Sequence, residues 1–463
     1  MKYLHFVIAC LCTLLSVSCQ MKTEKQSPAA DEVRLITLAP GHFHAALVQK
    51  TAYTQVSPSV HVYAPRGNEL TEHLKRIEGY NTRADNPTRW EEHVYTGDDY
   101  LEKMLSEKKG NVVVLAGDNG LKTDYIEKAV SNSFHVLADK PMTIDTDGFE
   151  LLETCFRMSA EKGVLLYDIM TERFEISTIL QKEFSQLPDV YGHQTQGSAD
   201  EPAVVMESVH HFLKTVSGSP LLRPAWFFDT DIQGEGIVDV AVHLVDLVQW
   251  ELFPEQAIDC RRDIELVDAN HWTTPLTAAQ FAEVTGLTSY PSSLQEDVCG
   301  DTLKVYANGD ILYKIKDVYA KVSVIWNYSY PEGGGDTHYS IMKGSKAHLI
   351  IEQGQAQNYK PVLSIKATAA GDLAAYEKAL QAALPAIQTK YPGVSFRPSG
   401  EGVWLVDIPE HYHNGHEAHF GQVTENFLKY FREGSLPGWE TPCMIAKYYV
   451  TTRALEMAKA KTK

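Results

Sequence analysis

Asp239 and His243 stand four residues apart in the segment Gly234-Glu235-Gly236-Ile237-Val238-Asp239-Val240-Ala241-Val242-His243. On a helix that spacing puts both side chains on one face. A carboxylate beside an imidazole can hold a hydroxyl group and take its proton, because histidine titrates near neutrality. Val238, Val242, Val245 and Val248 mark the packed face of the same helix. A second group, Ala138-Asp139-Lys140-Pro141, follows an apolar run that reads as a parallel strand. Ligands of open α/β sheets bind outside the carboxyl ends of the strands. Lys140 can donate there to a substrate hydroxyl or a ribose, and Pro141 restrains it to extended backbone or a cis bond. A third group is the turn Ala39-Pro40-Gly41-His42-Phe43-His44-Ala45. Its one glycine, Gly41, lets the backbone approach a pyrophosphate at the start of a helix.

These groups need a scaffold, and the chain supplies an alternating one. Residues 33–38 (VRLITL) are a short apolar run, Pro40-Gly41 stops it, and 44–50 has helical spacing. Strands are expected at 60–63, 111–116, 134–138 and 164–167, with helices at 70–80, 100–106, 124–130 and 149–162 and a loop at 81–90. Continuous apolar strands between helices predict a doubly wound parallel sheet, a Rossmann α/β domain over 32–170. Residues 171–463 form a substrate-binding α+β domain with a largely antiparallel open sheet. A helix at 173–184 opens it. Asn308-Gly309, between 302–306 and 311–315, predicts a hairpin. Strands follow at 319–328 and 338–342, then helices at 373–390 and 420–431, and a helix at 443–460 closes the fold.

The chain has 463 residues, 44% of them hydrophobic, which is ordinary globular usage. A net charge of −18 argues against nucleic acid as a partner. Residues 1–18 read as a signal peptide: Lys2 is followed by an apolar stretch and Ser16-Val17-Ser18-Cys19. Small residues before Cys19 predict cleavage and lipidation at that cysteine, with 19–31 a polar tether. The expected location is the bacterial periplasm or cell envelope, with the membrane touched only through the lipid. Of the other cysteines in the mature chain, none forms a C-x-x-C pair, and Cys260–Cys299 is the simplest disulfide guess.

Two further clusters precede and follow this core. His210 and His211, then Trp226, lie upstream of the Asp–His segment and read as substrate contacts, Trp226 as a platform for a sugar ring or else a buried aromatic. The stretch from Glu410 to His419 holds four histidines and two carboxylates. Its irregular spacing reads as a structural loop or substrate contact, and no metal is expected.

Taken together, the motifs resemble the Gfo/Idh/MocA oxidoreductases. Asp139-Lys140-Pro141 matches that family's E-K-P with an aspartate, and 234–243 is similar to its G-G-x-x-x-D-x-x-x-H. Residues 111–121 look like its strand followed by T-P-N-x-x-H, with Asn119 kept and Lys122 at the His position; 164–174 resembles its segment ending N-R-R-F. The resemblance implies a nicotinamide-dependent oxidoreductase acting on a hydroxyl or keto group of a sugar or glycoside, with a tightly held, recycled cofactor. It implies Lys140, His243 and Asp239 as catalytic, with His243 the base, and Asp239 also touching substrate. Cofactor contacts would come from Gly41, His42, Phe43, His44, Arg66, Ala116, Asn119, Asp139 and Lys140. The cofactor is NAD or NADP, with NAD ahead; Arg66, where the family often has an acidic residue, would meet a 2′-phosphate or stack on adenine. Two alternatives stay open: a glycosidase or epimerase working through transient oxidation, and a non-catalytic carbohydrate-binding protein on a worn Rossmann fold. A small-molecule carbohydrate is the expected partner, and a homo-oligomer is compatible with the sequence.

Overall fold

The computed structural model describes residues 32–216, 219–368 and 372–462. The leader, Cys19 and the whole tether lie outside these residues. Strands β1 (Leu35–Leu38), β2 (Ser59–Ala64), β3 (Glu91–Thr96), β4 (Val112–Leu115), β5 (His135–Asp139) and β6 (Leu166–Ile169) form one parallel sheet. Their order is β3-β2-β1-β4-β5-β6, the doubly wound arrangement. Strands β1, β4 and β6 are buried along their whole length, as continuous apolar runs require when helices cover both faces. The chain order reverses beside β1, so the crevice between the β1 and β4 ends is where a ligand belongs. Strand β3 corrects the sequence reading, which placed nothing there: Glu91-Glu92-His93-Val94-Tyr95-Thr96 is a half-exposed edge strand without an apolar run.

The second sheet is mostly antiparallel. Across it lie Ile264–Thr277, Thr302–Ile315, Val318–Ser329, Val204–Leu213, Thr337–Lys343, Ala347–Gln353, Val362–Ala367, Val403–Asp407 and Ser395–Pro398. Only the pairing of Val318–Ser329 with Val204–Leu213 is parallel. The hairpin expected at Asn308-Gly309 is absent: Thr302–Ile315 runs straight through it as one strand. Asn308 donates to Trp272 O at 3.0 Å and Thr274 Oγ1 at 2.8 Å, and accepts from Trp326 N at 2.7 Å. The asparagine therefore laces three strands together at a register shift between Trp272 and Thr274. Gly309 has another use. A Cβ there would meet Ile237 Cβ at 2.6 Å, and one on Gly236 would meet Ala307 O at 1.8 Å. The two glycines let the short helix Gly236–Asp239 lie directly on this strand.

The cores are interleaved along the sequence. Val242, Phe420, Val423, Phe427, Met444 and Tyr448 belong to the core of the parallel sheet. Cys443, Ala446, Val450 and Ala454 of the closing helix Glu440–Thr462 belong to the core of the other sheet. That helix buries residues toward both layers as far as Ala458, and its charged residues are either paired inside, as Lys447 is, or exposed, as Glu456 and Lys459 are. A charged network crosses the same junction. Arg173 grips Asp246 at 2.6 and 2.7 Å and Glu440 at 3.0 and 3.1 Å. Lys447, fully buried, bridges Asp246 and Asp168 at 2.8 Å each, and Tyr448 donates to Asp168 at 2.8 Å. The guessed Cys260–Cys299 disulfide is not formed; Cys260 is buried, Cys299 is exposed, and both are free.

Candidate active site

Lys140 directly follows β5 and opens the loop after it, and its peptide bond to Pro141 is cis. Its ammonium donates to Asp239 Oδ1 at 2.8 Å and to Asp239 O at 3.2 Å. The two segments that carry chemistry therefore meet. Burial opposes the Lys140 charge, but the Asp239 and Asp139 carboxylates outweigh it and raise its pKa.

The expected Asp239–His243 pair is not formed. The helix Gly236–Asp239 ends at Val240 before Ala241–Leu252 begins, and the Asp239 carboxylate goes to the ammonium instead. A full positive charge competes better for a carboxylate than an imidazole that burial keeps neutral. Burial, then the Lys140 charge, holds the His243 pKa well below its ordinary value. His243 Nδ1 is sealed from solvent without a hydrogen-bond partner, which leaves Nε2 as the nitrogen able to meet a substrate. Three residues further on, Asp246 anchors this helix in the buried network.

The turn after β1 is built on a close approach. Ala39 takes a left-handed φ of 44°. Gly41 packs on Gly117: a Cβ on Gly41 would meet Gly117 Cα at 3.0 Å, and one on Gly117 would meet Ala39 O at 2.6 Å. Gly41 N and His42 N both donate to Ala116 O, at 3.0 and 3.1 Å. These amides are thus committed to the protein, and Ala116 serves the turn. The helix that follows, His44–Leu47, has four residues, fewer than the sequence reading gave it. Beside this turn lies a cavity of about 250 Å³. Its walls include Pro40, Gly41, Arg66, Glu69 and Tyr125, from beyond the carboxyl ends of β1 and β2 and the helix after β4, and Trp226 from the short helix Ala225–Phe228. A crevice at the switch point, a glycine contact that a side chain would fill, and a basic residue after β2 fit a dinucleotide.

Other expected contacts fall differently. Phe43 is 42% exposed, under the Arg76 guanidinium at 5.6 Å, and lies outside the cavity's walls. Asn119 spends its amide internally: Nδ2 donates to Gln233 O at 2.8 Å, and Oδ1 accepts from Lys122 at 2.5 Å. Lys122, 2% exposed, also donates to the carbonyls of Asp139 and Pro141 at 3.0 Å each, which fixes the loop carrying Lys140. Burial lowers its pKa to about 8. Trp226 lines the cavity beside Gly41, 6.4 Å from the His42 ring, and is not among the Lys140 contacts. His210 and His211 both face Asp336, at 3.4 and 3.1 Å, and His210 stacks on Trp326 at 4.8 Å. Lys214 also binds Asp336.

The sequence reading missed two members of the site and the partner of a third, Asp139. His416, from the 411–419 cluster, brings its ring within 5.3 Å of His44. Glu172 is raised in pKa by burial and by Glu175, with Lys140 pulling the other way. Its signal was the segment 164–174, where it follows β6. Asp139 accepts from His44 Nδ1 at 2.9 Å, and His42 Nδ1 lies 3.8 Å from the same oxygen. Burial disfavours the Asp139 charge, yet His44 and Lys122 hold its carboxyl far below the usual range.

Residues 40–167 match the family model described as "Oxidoreductase family, NAD-binding Rossmann fold", and 180–459 match "Putative oxidoreductase C terminal domain". A solved "putative oxidoreductase" from Parabacteroides merdae is 62% identical, with a TM-score of 0.92 over 94% of this chain and 99% of that one. Biliverdin reductase from Synechocystis, solved with biliverdin and NADP+, is 10% identical (TM-score 0.55; 92% and 99% covered). A 3-ketoreductase from Actinomadura kijaniata, solved with NADP and TDP-benzene, is 13% identical (TM-score 0.53; 91% and 96% covered). The last two share the fold. No curated protein matches the chain.

Proposed function

The chain belongs to the Gfo/Idh/MocA family of oxidoreductases, and from that premise we propose that it moves hydride between a nicotinamide dinucleotide and a hydroxyl-bearing carbon of a sugar or glycoside. The observation that carries this reading is the Lys140–Asp239 contact of 2.8 Å, made beside a neutral His243. When bound, the nicotinamide supplies the hydride acceptor. Lys140 donates a hydrogen bond to the substrate hydroxyl and remains charged. Asp239 holds the ammonium in place and accepts from a neighbouring hydroxyl. His243 takes the hydroxyl proton at Nε2 as the C–H bond breaks. Arg66 and Glu69 line the cavity where the adenosine ribose would lie, and they decide between NAD and NADP.

Glu172 favours a second reading. A carboxyl that burial shifts toward its protonated form, with Lys140 pulling the other way, is suited to pass a proton, as a redox-neutral epimerase or eliminating glycosidase needs. Such a cycle regenerates its own cofactor. That would suit a lipid-anchored envelope protein, the location we propose from the leader and Cys19.

The test is direct. Denatured protein should release one dinucleotide per chain, and its mass identifies NAD or NADP. A glycoside panel with an artificial electron acceptor, read by NMR, should then give a keto sugar or a rearranged product. No dinucleotide bound or taken up, and no turnover on the panel, would leave only a binding protein.

A further inference from the structure

We propose that His42, His44 and Asp139 form a binding site for one divalent first-row transition-metal ion. Each residue offers one ligand atom, and the three atoms lie within 4.8 Å of one another. The residues come from the turn after β1 and the last position of β5, elements that the rigid parallel sheet holds in place. The His42 and His44 rings sit edge to face with centroids 4.0 Å apart. Their nitrogens converge on one carboxylate oxygen, at 3.8 and 2.9 Å.

The second carboxylate oxygen gives an independent reason. Asp139 is 4% exposed, and its Oδ1 is buried without a hydrogen-bond partner. An ionised oxygen left unpaired in the interior is costly, and a cation removes that cost. The two nearby ammonium groups do not bond this carboxylate. Lys122 donates to the Asp139 carbonyl, and Lys140 donates to Asp239. Two imidazoles and one carboxylate suit zinc, cobalt or iron(II), and three protein ligands leave positions for water or a substrate oxygen. Calcium and magnesium, which prefer sets of oxygen ligands, are poor candidates. The proposal is independent of the dinucleotide reading, because its test uses the metal alone.

The full mature chain, stripped with chelator and dialysed, is titrated with Co²⁺ and followed by visible d–d absorption, then with Zn²⁺ by calorimetry. One equivalent of each is expected. His44→Ala and Asp139→Asn should each weaken binding by about 100-fold or more, beyond what loss of an outer-shell partner costs. Circular dichroism checks the fold, and His42→Ala replaces either variant that does not fold. Wild-type protein that binds no stoichiometric metal overturns the proposal. So does a site that survives in folded His44→Ala and Asp139→Asn, since that would place the ion among the histidines of 411–419.

Discussion

The ammonium of Lys140 lies 2.8 Å from the carboxylate of Asp239, although 99 residues and a change of sheet separate them. This contact brings the loop after β5 against the glycine-flanked helix Gly236–Asp239, and it directs the Asp239 carboxylate to the ammonium and not to His243. The imidazole stays neutral and the lysine stays charged. One group is ready to accept a proton and the other to donate a hydrogen bond.

Removing either half of that pair strands the other in a half-closed space. Lys140→Ala should lower turnover by roughly 10²–10⁴-fold and also reduce thermal stability, because Asp239 is left uncompensated. Asp239→Asn keeps the shape and should hurt turnover less. A double-mutant cycle on kcat/KM measures the coupling, and additive losses would contradict a working pair.

His243→Ala should reduce kcat by about 10²–10⁴-fold with fold and bound dinucleotide unchanged. The pH dependence has a definite sign. Burial and Lys140 depress the His243 pKa, so its basic form persists to lower pH than for a free histidine. For oxidation, kcat/KM should hold its plateau down through about pH 6.5 and fall only below it. A limb above that value would assign the base elsewhere.

Gly41→Val pushes a side chain against Gly117, where even a Cβ sits at 3.0 Å from Cα. The loops after β1 and β4 must part, and the cavity beside them deforms. The variant should fold and lose its dinucleotide, measured by chromatography of the denatured protein. Retained cofactor would move the site away from this crevice.

Asp246→Asn should destabilise the chain by about 3–5 kcal/mol, because Arg173 and Lys447 are buried and lose their shared anion. Chemical denaturation measures it. Burial works against the Asp246 charge, but Arg173 and Lys447 outweigh it and pull its pKa down. Its contribution is therefore complete above the unfolded carboxylate pKa of about 3.9 and is lost as pH falls through the lower folded value. The variant's deficit should shrink in strong acid.

Cys19→Ala should leave the protein unprocessed or released from membranes. Mature mass and membrane fractionation check this, and an unchanged result in both removes the lipid anchor.

Much of the scaffold was legible because buried parallel strands write themselves as apolar runs. Strands β1, β4 and β5 stand near where 33–38, 111–116 and 134–138 put them. Edge strand β3 was not, since one exposed edge tolerates Glu91, Glu92 and His93. Asn308-Gly309 misled because the same dipeptide serves a turn or a cross-strand clasp, and only its neighbours decide. At the site, local motifs named Lys140, Asp239 and His243, but not which pairs with which. That choice depends on where the helix breaks at Val240. His416 and the Arg173–Asp246–Lys447 network are long-range meetings with no local trace.

The interleaved cores set an order on biosynthesis. By residue 169 the ribosome has delivered all six strands of the parallel sheet. Its interior nevertheless lacks Phe420, Phe427, Met444 and Tyr448, which arrive from the helices His416–Glu433 and Glu440–Thr462. The nascent parallel sheet therefore carries an open apolar surface until those two helices are made. Cutting the gene before codon 416 would yield a sticky fragment, not a small dinucleotide-binding module.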